Sequence, residues 1–135
     1  MLKLNLKIEH PTTIIIKPGG LRELDRILAS IDPYKIVIVT DENVEKLWSQ
    51  RVIEVIENTG ITYHKIILPP GESCKKLEVA MDIWRTLLNL GFTRDSMIIG
   101  LGGGAILDVT GFTASTYMRG CHLLFIPTTL LAQVD

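Results

Sequence analysis

Residues 35–40 read KIVIVT, four consecutive β-branched aliphatic residues with no polar residue between them. A strand with one face in water alternates apolar and polar residues; an unbroken apolar run of this length has to be covered on both faces. That requirement limits the fold to a sheet with helices packed on either side. Residues 96–101 (SMIIGL) repeat the pattern, and residues 61–68 and 123–127 supply two more short β-rich runs. Between them lie helical-period segments. Leu21, Leu24, Ile27, Leu28 and Ile31 mark the first, and Val44, Leu47, Trp48, Val52, Val55 and Ile56 the second. Leu77, Ala80, Met81, Trp84, Leu87 and Leu88 mark the third, and residues 105–118 form the fourth. Strand and helix in alternation predict a Rossmann-like α/β domain with an open, mostly parallel sheet and helices on both faces. Leu2, Leu4, Leu6 and Ile8 alternate with polar residues, and residues 12–17 (TTIIIK) are also β-rich, so a short N-terminal β pair is expected ahead of it.

A chain of 135 residues makes one domain, 1–135, large enough to bury roughly two thirds of its unfolded surface. Its net charge of -1, with no basic run longer than Lys75-Lys76, offers no field for a nucleic acid partner. From residue 96 to residue 134 only Asp108 and Arg119 are charged, but these residues with Gly111, Gly120 and Pro127 cut the stretch. The pieces fall short of the roughly 18 to 20 apolar residues a membrane-spanning helix needs. No secretory leader opens the sequence, and Cys74 and Cys121 have no CxxC spacing, so reduced thiols and a cytoplasmic location are expected. His10, His64 and His122 lack the mutual spacing of metal ligands.

In a parallel α/β sheet, ligands bind outside the carboxyl ends of the strands. Residues 41–43, 70–76, 102–108 and 128–129 should therefore gather on one rim. The most specific of these stretches is GLGGGAILD, residues 100–108. Three successive glycines at a strand end permit positive φ and let a ligand approach main-chain amides, and a helix beginning near Ala105 adds its unpaired N–H groups. A pyrophosphate fits that cradle, although the spacing is not GxGxxG because Leu107 stands at the last glycine position of one register. Asp108 falls in the expected first helical turn, and a helix apolar on every face requires a polar partner or ligand for it. Arg119, eleven residues on, lies on the same side of an ideal helix; it suits either the helix end or an anion clamp.

The stretch GLGGGAILDVTGFTASTYMRG followed by PTTLLAQVD resembles the amino-terminal domain of the 3-dehydroquinate synthases, in order and spacing. DEN at 41–43 and LPPGESCKKLE at 68–78 also match family positions. The resemblance implies an NAD-dependent lyase of the shikimate pathway that converts 3-deoxy-D-arabino-heptulosonate 7-phosphate, a sugar phosphate, to 3-dehydroquinate and phosphate. By that resemblance Asp41, Glu42, Asn43, Glu72, Ser73, Cys74 and Lys75 would hold the adenosine side of NAD. Gly103, Gly104 and Ala105 would cradle the pyrophosphate, and Asp108, Thr128 and Thr129 would lie nearer the nicotinamide. Arg119 and Asp135 match substrate-contacting positions. The family's divalent metal, zinc or cobalt, would belong to a C-terminal helical domain absent from this chain, and no catalytic residue is expected here. The uncharged run LLAQV before Asp135 reads as an interior cut from a longer polypeptide, itself expected to be a homo-oligomer. The alternatives are a domain of an NAD-dependent polyol, iron-type alcohol or glycerol-1-phosphate dehydrogenase, or a non-catalytic nucleotide-binding module.

Overall fold

The computed structural model describes residues 13–134. A 3₁₀ turn at Gly20–Arg22 leads into α1 (Glu23–Ile31), followed by β1 (Ile36–Asp41). The next helix is continuous but irregular: α2 (Glu42–Val44), a π-helical turn (Glu45–Ser49) and α3 (Gln50–Thr59). Then come β2 (Tyr63–Leu68), a 3₁₀ turn (Glu72–Cys74), α4 (Leu77–Asn89), β3 (Met97–Gly102) and α5 (Gly104–Thr116). A last 3₁₀ turn (Tyr117–Arg119), β4 (His122–Pro127) and α6 (Leu130–Val134) complete the described chain. The alternating N-terminal segment at 2–9, His10 and Asp135 lie outside the described residues. The β-rich run at 12–17 carries no strand over its described part, where Ile14 and Ile16 are exposed and none of the described strands pairs with them.

The four strands of the described residues are parallel, in the order β2-β1-β3-β4. Every residue of β1 and β3 is buried, as the unbroken apolar runs demand, and side-chain alternation divides them between two cores. Ile36, Ile38, Met97, Ile99 and Leu101 pack with Leu24 and Leu28 of α1 and Val52, Ile53 and Ile56 of α3. Val37, Val39 and Ile98 face the other way, onto Ile83 and Leu87 of α4 and Ile106, Val109 and Ala114 of α5. The two central strands therefore send their following helices to opposite faces: β1 to the α1/α3 side, β3 to the α4/α5 side. The gap between their carboxyl ends is the topological switch point, where ligands of such sheets bind.

The π turn explains one departure from simple helical periodicity. Its wider turn shifts the register of what precedes it relative to α3, leaving Leu47 and Trp48 exposed while Val52 and Ile56 enter the core. Ser49 donates its hydroxyl to the Glu45 carbonyl at 2.8 Å inside this turn, and Lys65 of β2 reaches Glu45 at 2.7 Å.

Candidate functional site

Both central strands end by turning directly into a helix, and the two turns are built differently. At the end of β1, Asp41 is almost fully buried and its Oδ1 accepts the backbone N–H groups of Asn43 and Val44, each at 2.9 Å. This is a side-chain N-cap: it satisfies two of the four amides that a helix start leaves free. Glu42 and Asn43 are exposed beside it.

At the end of β3 there is no such cap. Gly103 occupies the N-cap position of α5 in extended backbone (φ -84°, ψ -174°) and offers no side chain. Leu107 N–H bonds the Gly103 carbonyl at 3.0 Å as the first turn closes, leaving the preceding amides at the mouth of the turn. The glycines are not there for positive φ: Gly102, Gly103 and Gly104 all lie outside the left-handed region. Close approach is their purpose. A Cβ on Gly102 would sit 2.9 Å from Ile106 Cβ, and one on Gly103 would sit 3.3 Å from Thr129 Cγ2. A Cβ on Gly104 would meet nothing within 4 Å and would project into open space at the helix start. That volume is free for a ligand, and any side chain placed there would compete for it.

The glycine economy extends into the elements. Gly100, within β3, lies so close under α5 that a Cβ would come 3.1 Å from Leu107 and Thr110 and 3.2 Å from Phe125. Gly111 of α5 has Phe125 Cζ 3.0 Å from where its Cβ would be. The helix carrying the open turn is thus pressed against the sheet and cannot easily tilt. Thr110 and Thr113, both buried in α5, donate back to the carbonyls of Ile106 and Val109 at 2.6 and 2.7 Å, so neither leaves a polar group orphaned in that contact.

α5 begins at Gly104, one residue earlier than the spacing predicts, so Asp108 lies in the second turn instead of the first. Dipole stabilisation fades beyond the first turn and is not what holds this acid. Nor is it buried: its side chain is 55% exposed, and Lys75 meets it at 2.7 Å. Lys75 also reaches Glu72 at 3.1 Å, so one ammonium joins the loop after β2 to the helix after β3. The hydrogen bonds to Asp108 and then to Glu72 raise the Lys75 pKa and hold it protonated. Lys75, Lys76, Leu77, Ala80, Asp108, Val109 and Phe112 line a groove of about 290 Å³ between α4 and α5. No sequence spacing links positions 75 and 108; only the fold brings them together.

Thr128 and Thr129 join the same rim. Thr128 N–H donates to the Gly102 carbonyl at 2.9 Å, and the Thr129 hydroxyl accepts Ala132 N–H at 3.2 Å at the start of α6. Ser73 is exposed on the 3₁₀ turn. Cys74 is withdrawn: its thiol is buried in the α4/α5 core, burial raises its pKa, and only its main chain can face the rim. Cys121, partly buried by the same core, has its thiol pushed up to about 11.

Arg119 is not part of this assembly. α5 ends at Thr116, and Met118 and Arg119 take left-handed backbone (φ 47° and 67°), so the reading of Arg119 and Asp108 as two points on one straight helix is corrected. Arg119 sits at the amino end of β4, beside Arg94, Asp95 and His122. The 13 residues of α5 separate it from the glycine turn, roughly 20 Å of helix. Among the described residues no three His, Cys, Asp or Glu side chains cluster as a metal site, and no helix is long and apolar enough to cross a membrane.

An open, parallel sheet with an uncapped glycine turn at its switch point is an architecture that nucleotide-binding α/β domains use. The comparisons make this specific. Residues 65–135, just over half the chain, match the family model described as 3-dehydroquinate synthase N-terminal, and the chain belongs to that family. It is 49% identical over 122 residues to a 3-dehydroquinate synthase of Pyrococcus abyssi, covering 90% of this chain and 35% of that protein. It is 41% identical over 136 residues to the 3-dehydroquinate synthase of Lactococcus lactis subsp. cremoris strain MG1363, covering 99% of this chain and 38% of that one. The chain therefore spans a little over a third of the length of these relatives. Among solved structures it resembles 2-deoxy-scyllo-inosose synthase complexed with carbaglucose-6-phosphate, NAD+ and Co2+ (TM-score 0.72, 25% identity, 81% of this chain and 31% of that one). The fold also matches 2-epi-5-epi-valiolone synthase from Streptomyces hygroscopicus subsp. jinggangensis 5008 (TM-score 0.79, 24% identity, 99% of this chain and 37% of that one).

Proposed function

We propose that this chain is the NAD-binding part of a cytoplasmic 3-dehydroquinate synthase, which converts 3-deoxy-D-arabino-heptulosonate 7-phosphate to 3-dehydroquinate and phosphate. The observation that carries the reading is the uncapped start of α5, with open space beyond Gly104 at the switch point. A dinucleotide pyrophosphate fits there: it is an anion, the free amides donate, and Gly103 and Gly104 leave no side chain in the way. Bound NAD would supply reversible hydride transfer at a substrate hydroxyl.

The residues of this chain bind and orient. Asp41 keeps the β1 turn rigid through its cap, leaving its remaining oxygen and the exposed Glu42 and Asn43 to face the adenosine side. Lys75 ties Glu72 to Asp108, and the three would set the far wall of the cofactor cleft. Thr128 and Thr129 are held on the glycine turn by the Thr128 bond to Gly102 and would meet the cofactor from the β4 side. Arg119 and Asp135 would be this chain's contributions to the sugar-phosphate site, and the divalent metal with the other substrate-handling groups would come from the remaining two thirds of the protein. The iron-type dehydrogenases share the fold, but the Arg119-Gly120 pair and the PTTLLAQVD segment favour the synthase.

The test is calorimetric titration of the chain with NAD, with Asp108→Ala as the comparison. Saturable binding weakened by the substitution is expected. Equal binding by both proteins, or no heat at millimolar NAD, would overturn the assignment.

A further inference from the structure

Left-handed backbone is strained for every residue with a side chain, and it persists only where neighbouring contacts over-determine it. Among the described residues three non-glycine positions adopt it, and two of them are consecutive: Met118 (φ 47°) and Arg119 (φ 67°). Three bonds hold this pair in place. Tyr117, buried in the α4/α5 core, donates its hydroxyl to the Phe92 carbonyl at 2.8 Å. Gly120 N–H closes onto the Tyr117 carbonyl at 2.8 Å, and Cys121 N–H reaches back to the Ala114 carbonyl at 3.2 Å. The strain sits directly under Arg119, at the end of the sheet opposite the glycine turn.

The Tyr117 bond does more than close the turn. Its donor stands two residues before Arg119 and its acceptor two residues before Arg94, so one buried contact ties together the two segments that carry these guanidinium groups. The Ser96 carbonyl adds a second tie by accepting His122 N–H at 3.2 Å. Arg94, Arg119 and His122 line one open hollow of about 650 Å³, with Asp95 its single acid. Both arginines are exposed, and neither forms an ion pair with a carboxylate among the described residues. Like charges gathered on one hollow repel, and an anion between them turns that repulsion into binding from two sides. The planar guanidinium fork suits a phosphate, whose oxygens accept two parallel N–H bonds.

We propose that this hollow takes a phosphate monoester between Arg94 and Arg119, and that Tyr117 is the positioning residue that holds the second arginine to the first. Arg94 and Tyr117 thereby join a site that rests on the reading of Arg119 as a sugar-phosphate contact. The probe is inorganic phosphate, titrated at low salt into the chain as it stands and followed through its backbone amide NMR spectrum. Saturable shifts at residues 93–95 and 118–122 are expected, and Arg94→Gln and Arg119→Gln should each weaken binding about threefold to tenfold. Tyr117→Phe loses one hydroxyl and keeps the buried ring. It should weaken phosphate binding about twofold or more, and this loss should vanish in the Arg119→Gln background. Plain destabilisation would cost the same in both backgrounds, so an equal loss in each, or no loss, overturns the role of Tyr117. Arg94→Gln without effect overturns the two-arginine site, and Arg119→Gln without effect removes the sugar-phosphate reading along with it. Shifts that never saturate, or that stay confined to residues 102–104, overturn the site and leave the cofactor assignment standing.

Discussion

The ends of β1 and β3 occupy equivalent places in the sheet, adjacent and parallel, each feeding a helix at the switch point. Their chemistry is opposite. The first is closed by its own carboxylate, since Asp41 takes the Asn43 and Val44 amides at 2.9 Å. The second has no side chain at the cap position and open space beyond Gly104. A helix start can be capped from within the chain or left uncapped, and this molecule does one on each side of the crevice. The closed turn is supported from within the chain, and the open one is where the proposed pyrophosphate would sit.

The contrast breaks most severely at Gly102. Its Cβ would lie 2.9 Å from Ile106 Cβ and 3.1 Å from both γ carbons, atoms fixed to the backbone of α5 and unable to swing aside. Gly102→Ala should destabilise the domain by about 1 to 3 kcal/mol, the usual range for overpacking a filled site. Thermal or urea unfolding measures this; an unchanged midpoint would mean that α5 slides freely over β3, against the close packing at Gly100 and Gly111.

Asp41 is next. Asp41→Ala removes a cap from a helix of the α1/α3 face and should cost about 1 kcal/mol, whereas Asp41→Asn, an equally good cap, should leave stability unchanged. The pair of variants separates two roles. If Asp41 also touches the cofactor through its charge, Asp41→Asn will weaken NAD binding while the unfolding midpoint stays put. If both variants bind NAD like the parent, the residue is a cap and nothing more.

Much of this was legible in the sequence, for a physical reason: burial on both faces forces an unbroken apolar run, so residues 35–40 and 96–101 announced the two central strands to within one residue. The parallel order then gathers the loops at 41–43, 70–76, 102–108 and 128–129 on one rim. Less legible was why the glycines are there. Sequence suggests positive φ, but the reason lies in inter-element distances, at Ile106 for Gly102 and at Thr129 for Gly103, which no local pattern reports. The Lys75–Asp108 pair was invisible for the same cause, since only the crossover of α4 and α5 makes neighbours of residues 33 positions apart. Arg119 misled because helical arithmetic assumes a straight helix, and the left-handed backbone at Met118 and Arg119 ends it. The wide apolar face of α4 was visible, but its division into covered residues (Ala80, Ile83 and Leu87) and exposed ones (Leu77, Met81 and Leu88) was not.

A smaller effect sharpens the open side of the comparison. Gly104 has nothing within 4 Å of its absent Cβ and does not need positive φ. Gly104→Ala should therefore hold stability or raise it by about 0.4 to 1 kcal/mol, through the lost freedom of the unfolded chain. The same methyl would stand in the space assigned to the pyrophosphate and should weaken NAD binding. Stability and binding moving in opposite directions is the signature of a glycine kept for a ligand; binding as tight as the parent's would move the phosphate site away from this turn.

The smallest expected change is at Lys75, where the two sides of the cleft are joined by charge alone. Its hydrogen bonds to Asp108 and Glu72 raise its pKa on folding, so whatever the pair contributes is fully present below the unfolded lysine value, near about 10.4. That contribution is lost only as pH climbs through the still higher folded value. The difference in melting temperature between the parent and Lys75→Gln should accordingly stay flat from about pH 6 to 9 and shrink in strong alkali. All three side chains reach solvent, which screens the pair, so added salt should narrow the same difference at neutral pH. A difference that grew with pH across the neutral range, or ignored salt, would show that Lys75 supports the loop through packing of its methylene stem against the α4/α5 groove. The charge would then be spare, free to meet a ligand without first leaving Asp108.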